Sequence, residues 1–177
     1  EPVDFVHRRL RRFLAAARQH DSVLVYFSGH SLYRNGVFNL IVGSDQNCPG
    51  HCLNTSSVAE LFKQHEKPAD RLLILDCCEA GAAAVEIDWN QKCGVWLRLW
   101  LAARTNEDAP ELDRETQGGL FTANIVRALG NKAHELADAD GCLRLDAVDV
   151  FVRAETDAYR SSSGKPAPRP GLHGNTS

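Results

Sequence analysis

Two apolar stretches of the sequence end on side chains that are suited to nucleophilic catalysis. The stretch LVYFSGH at 24–30 ends on His30, and LILDCCEAG at 73–81 contains the adjacent cysteines Cys77 and Cys78. A cysteine is a strong nucleophile only as the thiolate, and a nearby imidazole can generate or stabilise that form. If the two stretches meet in space, His30 can serve as the base for a nucleophilic cysteine.

Both stretches are predicted to be strands that carry their polar ends to one edge of a sheet. Residues 23–27 and 71–75 are short runs of β-branched, aliphatic and aromatic residues, which is typical of buried strands. Helical patterns alternate with the strand-like runs, and this alternation predicts an α/β fold with a mostly parallel sheet covered on both faces. Ligands of such sheets bind at the carboxyl ends of the strands, where we expect His30 and Cys78 to share a cleft.

The remaining elements are predicted from hydrophobic periodicity and from turn residues. Helices are expected over residues 3–19, over 120–130 ending at Gly130, and over 146–161. A further helix, capped by Ser56 or Ser57, is expected to run to about Gln64. Further strands are expected over 37–43, as a partner of the strand at 23–27, over 95–103 and, as a short piece, over 142–145. Loops are expected over 29–36, 44–57 and 104–119, and loop or disorder from Ser161 onward.

Composition restricts the class of protein. The chain has 177 residues, of which 44% are hydrophobic and 24% charged, and this suits one domain with a substantial core. A formal net charge of −3 gives no basic footprint for nucleic acid, and no apolar run approaches the roughly 18 residues that span a membrane. The six cysteines are scattered and two are adjacent, which predicts reduced thiols in the cytoplasm.

The motifs resemble those of caspase-like cysteine peptidases, in particular the metacaspase and paracaspase branches. YFSGH at 26–30, DCCEAG at 76–81 and GGLFT at 118–122 occur in the family's order. The resemblance implies a caspase-like three-layer α/β/α sandwich with a mostly parallel sheet, and it implies that His30 is the general base. Cys78 matches the nucleophile because it lies two residues after Asp76 and three before Gly81. Cys77 falls at a variable position of the family, and we expect it to be buried and inert.

The resemblance extends from about residue 5 to residue 173 and divides the chain. We expect a single peptidase domain over residues 1–160, with a large-subunit-like part at about 1–90 and a small-subunit-like part at about 119–160. A connecting loop is expected at about 82–118, and residues 161–177 are a tail rich in Pro, Gly and Ser. The family's first strand and helix are not matched, so we expect a segment of the same or a separate chain to supply them.

One residue beside the histidine departs from the family pattern. Ser31 stands where the family usually has glycine, whose backbone N–H helps to form the oxyanion hole together with the N–H of the nucleophile. A serine keeps this donor, although a positive φ at the position would strain a residue with a Cβ. We therefore expect the N–H groups of Ser31 and Cys78 to bind the oxyanion.

Asp76 is the candidate determinant of specificity. A carboxylate in the pocket for the residue before the scissile bond selects Arg or Lys, and arginine can pair with it in bidentate geometry. The resemblance therefore implies cleavage of proteins after Arg or Lys rather than after Asp. No cofactor or metal is expected for this chemistry, whereas calcium is a candidate activator with Asp45, Glu86 and Asp88 as candidate ligands.

Self-cleavage is the expected route of activation. Arg104 and Arg114 lie in polar sequence of the connecting loop, where a cut would separate the two parts of the domain. The Ala- and Arg-rich composition suggests a bacterial chain, and for such a chain the resemblance implies coupling to a regulatory or sensor partner. The charge and the apolar runs predict no nucleic-acid or membrane partner. The alternative is a catalytically weak or inactive caspase-like module that binds peptides or scaffolds other proteins.

Other features have simpler interpretations. Cys48, His51 and Cys52 in CPGHC resemble half of a zinc site, but no second ligand pair follows at a usual spacing, so a surface loop is expected. The segment DADG at 138–141 lacks the acids of a calcium loop and is expected to be a turn. A separase-related domain is a weaker alternative, because its motifs are looser and the sequence has no helical repeats.

Overall fold

The hydrophobic pattern places most helices and strands close to where the chain forms them. A computed structural model of the chain describes residues 1–68, 70–86, 97–103, 119–165 and 167–174. Within these residues the helices are α1 (Pro2–Ala16), α2 (Thr55–Gln64), α3 (Gly81–Glu86), α4 (Leu120–Leu129), α5 (Ala133–Leu136) and α6 (Leu145–Ser163). The strands are β1 (Ser22–Ser28), β2 (Ser31–Arg34), β3 (Val37–Ile41), β4 (Cys52–Asn54), β5 (Asp70–Asp76), β6 (Leu97–Leu101) and β7 (Gly171–His173).

The main sheet contains the two motif-bearing strands as neighbours. Its order is β1-β5-β6-β7, with β1, β5 and β6 parallel and β7 antiparallel to β6. β1 and β5 pair in register from Ser22 opposite Asp70 to Ser28 opposite Asp76. The carboxyl ends of both strands therefore reach the same edge of the sheet, and the predicted α/β fold with a mostly parallel sheet is confirmed.

Side-chain alternation along the strands divides the core between the two faces of this sheet. On β5, Leu73 and Leu75 are buried in a cluster that also contains residues of α1, α2 and α3. On the opposite face, Ile74 clusters with Trp100 of β6 and with residues of α4 and α6. The Trp100 and Phe121 rings meet edge to face, with their centroids 5.2 Å apart. Helices thus cover both faces of the sheet and form the three layers that the resemblance implies.

A second, three-stranded antiparallel sheet follows β1, and the sequence analysis did not predict it. β3 pairs with β2 and β4, so the predicted pairing of residues 37–43 with the strand at 23–27 is wrong. The cause is the two-residue turn Asn35-Gly36, in which both residues have a positive φ, as a tight hairpin turn between two strands requires. The predicted loop over 29–36 is therefore largely strand and hairpin.

The start of α2 also differs from the prediction. The cap lies two or three residues earlier than expected, because the Asn54 side chain accepts a hydrogen bond from the Ser56 backbone N–H at 2.7 Å and caps the helix. The preceding loop contains a single turn of 3₁₀-helix at Pro49–His51 and strand β4. Neither Ser56 nor Ser57 is the cap.

Two predictions near the C-terminus are also wrong, namely the short strand at 142–145 and the loop or disorder from Ser161 onward. Residues 142–144 form no strand, because the Asp138 carboxylate accepts the backbone N–H groups of Asp140 and Cys142 and closes the expected turn. The segment after Ser161, which was expected to be loop or disorder, includes the last turn of α6 and strand β7. No helix in the described ranges is long and apolar enough to cross a lipid bilayer.

β1 is an edge strand of the described sheet and is only half buried, although its apolar run predicted a fully buried strand. Leu24 is 54% exposed and Tyr26 44% exposed, whereas Val23 on the other face is buried. Helices α4 and α6, on the same face of the sheet as Leu24 and Tyr26, form their buried cluster with residues of β5 and β6 and not with β1. An open, largely apolar groove runs along β1 and α1, where Phe5 and Phe13 are also exposed.

Candidate active site

The ends of β1 and β5 place His30 and Cys78 on adjacent segments of the chain. The Gly29 N–H donates to the Asp76 carbonyl at 3.2 Å, which continues the parallel pairing beyond β1. His30 is exposed, and its carbonyl accepts the N–H of Ile41 at 2.9 Å. Cys78 is partly buried. The structure therefore brings the two segments that carry these residues to one edge of the sheet, and it encloses neither side chain in the core.

Ser31 links the two segments directly. Its hydroxyl donates a hydrogen bond to the Cys78 carbonyl, and its side chain also hydrogen bonds with the Cys77 thiol. Ser31 is the first residue of β2 and has no positive φ; among the described residues other than glycine, only Asn35 and Glu79 have one. Serine at this position is therefore unstrained, and it makes a bond that the family's usual glycine cannot make.

Replacing Ser31 by alanine is expected to lower the free energy of unfolding by about 1 kcal/mol, because a partly buried hydrogen bond between the start of β2 and the Cys78 segment is lost. Urea denaturation followed by circular dichroism measures the change. Ser44→Ala, in an exposed loop, is the control and is expected to stay within about 0.5 kcal/mol of the parent. Equal losses in the two variants would contradict a specific link between Ser31 and Cys78.

The two adjacent cysteines occupy different environments. Cys77 is 2% exposed and belongs to the core, where burial raises the pKa of its thiol to about 12 although the Ser31 hydrogen bond opposes the rise. Cys77 is therefore a neutral thiol at physiological pH and a poor nucleophile. Cys78 is followed by Glu79, whose φ of 53° lies in the left-handed region and turns the chain sharply into α3. Of the two thiols, that of Cys77 is buried in the core, whereas Cys78 is only partly buried.

Asp76 is the last residue of β5, and its carboxylate lies at the N-terminus of α4. The residue is 6% exposed, and the carboxylate accepts hydrogen bonds from both the hydroxyl and the backbone N–H of Thr122. The N-cap residue of α4 is Gly119, where an added Cβ would lie 2.9 Å from Asp76 Oδ2. The carboxylate thus occupies the place of the capping side chain that Gly119 lacks.

Tyr26 of β1 completes this hydrogen-bond network. Its hydroxyl is 2.7 Å from Thr122 Oγ1. Burial raises the pKa of Asp76, and the hydrogen bonds from Thr122 and Tyr26 partly oppose that rise. The sequence analysis gave neither Tyr26 nor Thr122 a role, although both lie inside quoted motifs, YFSGH and GGLFT. The two residues are 96 positions apart, and only the packing of α4 against the end of the sheet reveals their contact.

Among the described residues, those that were considered for metal binding are not grouped. In the described part of the chain, no three His, Cys, Asp or Glu side chains lie together in a way that could hold a metal ion. The CPGHC loop is bonded internally, since the Asp45 N–H donates to His51 Nδ1 at 3.0 Å and the Cys52 thiol donates to the Gln46 carbonyl at 3.2 Å. The following predicted residues lie outside the described part: Asp88, Arg104, Arg114 and the side chain of Glu86.

Comparison with known families agrees with this arrangement. A family model described as the caspase domain, of the peptidase C14 family, matches residues 4–171. The match includes both strands of the site, the segment that contains Cys78 and helix α4. No curated protein matches the sequence at a significant level.

Proposed function

This chain belongs to the caspase-domain family of cysteine peptidases, and on that premise we propose that it is an endopeptidase in which His30 and Cys78 form the catalytic dyad. The observation that supports the proposal most is the hydrogen bond from Ser31 to the Cys78 carbonyl, because it holds the histidine-bearing segment against the cysteine-bearing one. A catalytic pair needs this proximity in space, whereas its separation in sequence is immaterial.

In the proposed reaction, Cys78 Sγ forms a bond to the carbonyl carbon of the scissile peptide while the thiol proton passes to His30. The backbone N–H groups of Ser31 and Cys78 stabilise the oxyanion that develops. His30 then protonates the leaving amine as the C–N bond breaks, which leaves a thioester on Cys78. A water molecule then gives a proton to His30 as its oxygen bonds to the thioester carbon. The C–S bond breaks, the carboxylic acid leaves and His30 returns the proton to Cys78 Sγ.

The proposed substrate is a protein with Arg or Lys before the scissile bond. Asp76 lies two residues before the nucleophile, and its ionised carboxylate would pair with the basic side chain. Burial raises the pKa of Asp76, and the hydrogen bonds from Thr122 at the N-terminus of α4 oppose that rise by favouring the ionised form. This specificity would be that of the metacaspase and paracaspase branches, and it differs from cleavage after Asp.

The test is hydrolysis of fluorogenic peptides that differ only in the residue before the cleaved bond, which is Arg, Lys or Asp. Turnover after Arg and Lys, and none after Asp, is the expected result. Turnover after Asp alone would contradict the role given to Asp76 while keeping the dyad. The same assay with added calcium, and with a chelator, tests calcium as an activator.

Self-cleavage would follow from the same specificity. Arg104 and Arg114 are basic residues in a polar stretch between β6 and α4, so either is a candidate site at which the chain would activate itself. N-terminal sequencing of the fragments that appear during incubation identifies the bond. Fragments that begin at neither residue 105 nor residue 115 would contradict both candidates.

A further strand is the proposed partner of β1, contributed by the same or a separate polypeptide. The support is the half-exposed strand itself, since Leu24 and Tyr26 are open to solvent beside the apolar groove along α1. Proteins usually pair or cover an apolar edge strand, because its free N–H and C=O groups invite aggregation.

A peptide-binding or scaffolding module with little catalysis is the second candidate function. One observation favours it, namely that the Asp76 carboxylate is already engaged at α4. Limited alkylation with iodoacetamide, followed by peptide mass spectrometry, separates the two. A peptidase is expected to label Cys78 at least about tenfold faster than the exposed Cys142, and Cys77 is expected to stay unlabelled in the native protein. Equal rates at Cys78 and Cys142 would favour the scaffolding module.

A further inference from the structure

The hydrogen bonds around Asp76 point to a role for two residues outside the dyad. We infer that Thr122 and Tyr26 are positioning residues that hold the Asp76 carboxylate in place for the basic side chain of the substrate. The inference rests on the proposed function, because it takes Asp76 as the group that binds this side chain. It gives the first turn of α4 a part in substrate selection.

The first argument concerns how α4 begins. A helix usually starts at a Ser, Thr, Asp or Asn whose own side chain accepts an N–H of the first turn. Here the N-cap is Gly119, which has no side chain to accept such a bond. The acceptor is instead the Asp76 carboxylate at the end of β5, to which the Thr122 hydroxyl and backbone N–H both donate. An added Cβ at Gly119 would come within 2.9 Å of Asp76 Oδ2, so the glycine is what allows the carboxylate this close. The N-terminus of α4 therefore takes its capping acceptor from Asp76, and Gly119 leaves space for it.

The second argument concerns the capacity of the carboxylate. A carboxylate can accept about four hydrogen bonds in total. Thr122 uses two of these positions, one with its hydroxyl and one with its N–H, and the Tyr26 hydroxyl uses a third. The remaining capacity suits a guanidinium or ammonium group, and the Thr122 bonds fix the direction in which it is presented. A carboxylate that is held in this way loses less conformational entropy when the substrate binds.

The third argument concerns Tyr26, which approaches the network from β1. Its hydroxyl bonds with Thr122 Oγ1 at 2.7 Å and also lies close enough to the carboxylate to lower the pKa of Asp76. Tyr26 precedes His30 by four residues on the same chain segment. The same chain segment thus carries the proposed general base and supports the proposed specificity group.

A fourth point is where α4 lies in the chain. Gly119 directly follows residues 104–118, which contain both candidate self-cleavage sites. A displacement of Thr122 would change the hydrogen bonds of Asp76 at once, because Thr122 bonds to the carboxylate itself.

The experiment compares Thr122→Val, which keeps the shape of the side chain but removes its hydroxyl, with Thr122→Ser, which keeps the hydroxyl. In full-length protein, Thr122→Val is expected to raise KM for arginyl peptides by about tenfold with kcat within about twofold, because it weakens binding of the basic side chain rather than the chemistry. Thr122→Ser is expected to rescue KM, and Tyr26→Phe to raise it by a smaller factor. Val126→Thr, on the exposed side of α4, is the control for general effects on the helix.

A second readout separates this inference from the proposed function. Binding of benzamidine, a small mimic of the arginine side chain, is measured by calorimetry on Cys78→Ala protein with and without Thr122→Val. Weaker binding in the Thr122→Val protein supports the inference. If the parent cleaves arginyl peptides and Thr122→Val changes neither KM nor benzamidine affinity, the inference fails while the proposed function stands. If the parent neither cleaves arginyl peptides nor binds benzamidine, both fail together.

Discussion

Replacing Cys78 by alanine is expected to reduce turnover of arginyl peptides by at least about a thousandfold, which corresponds to about 4 kcal/mol of transition-state stabilisation. The physical reason is the loss of the only group in the proposed mechanism that forms a covalent bond to the substrate. The measurement is kcat/KM with a fluorogenic arginyl peptide. His30→Ala is expected to cause a loss of similar size, because a dyad acts as a unit and its members are not additive.

Cys77→Ala is the matched control, because it removes the neighbouring thiol and leaves the proposed nucleophile. It is expected to keep kcat within a fewfold of the parent and to lower stability by about 1–2 kcal/mol, since Cys77 is a buried part of the core. Loss of activity in Cys77→Ala with activity retained in Cys78→Ala would exchange the roles of the two cysteines. Activity that survives in both would refute a cysteine nucleophile at this edge of the sheet.

Replacing Asp76 by asparagine is expected to lower kcat/KM for arginyl peptides by about a hundredfold or more while leaving the protein at least as stable as the parent at neutral pH. The loss of activity follows from the loss of the charge that pairs with arginine. Asparagine is nearly isosteric, and its carbonyl oxygen can still accept the hydrogen bonds of Thr122. Asp70→Asn, at the exposed opposite end of β5, is the control and is expected to leave kcat/KM unchanged.

The stability half of this prediction follows from the pKa of Asp76, which burial raises above its ordinary value. A raised pKa in the folded state means that the folded protein binds this proton more tightly than the unfolded chain does. Protonation of Asp76 therefore favours the folded state, and ionisation favours the unfolded state. Its contribution is most favourable below the ordinary pKa of about 3.9 and declines as the pH rises through the raised pKa. At neutral pH the buried charge is therefore a cost, which Asp76→Asn removes.

Denaturation curves at several pH values measure this effect. The unfolding free energy of Asp76→Asn relative to the parent is expected to increase from acid to neutral pH. Asp76→Ala is expected to be destabilised by about 1–3 kcal/mol instead, because it leaves the Thr122 donors without an acceptor. If Asp76→Asn were destabilised as much as Asp76→Ala at neutral pH, the carboxylate would be a structural cap for α4 and its charge would be stabilising.

The strands that carry the motifs were predictable because their apolar runs are short, uninterrupted and followed by turn residues. β1 and β5 lie within one residue of the predicted 23–27 and 71–75 runs, and their parallel pairing follows from the alternation of strands and helices. The approach of the His30 and Cys78 segments is a consequence of that pairing. The Asn-Gly turn at 35–36 was also a readable hairpin signal, and the error over β2 and β3 came from treating all of 29–36 as loop.

Other features were beyond reach because they depend on contacts between distant parts of the chain. The apolar run at 23–27 predicts a buried strand whether or not another element covers it. The exposure of Leu24 and Tyr26 therefore could not be predicted from the sequence. The capping of α4 by Asp76 joins residues 46 positions apart, and no local pattern encodes it. The side-chain bond of Ser31 is of the same kind, since sequence indicated the departure from glycine but not the partner that the hydroxyl finds.

The antiparallel strand β7 determines what a cut between residues 104 and 118 would do to the molecule. β6 precedes that segment and β7 follows it, yet the two strands pair from Leu99 opposite His173 to Leu101 opposite Gly171. Helices α4 and α6 share a core with Ile74 and Trp100 on the other side of the cut. The two products would therefore remain complementing fragments of one particle, which elutes as a single species and separates only in denaturant. Severing the backbone would release the ends of the cut segment without dismantling the sheet that carries the site.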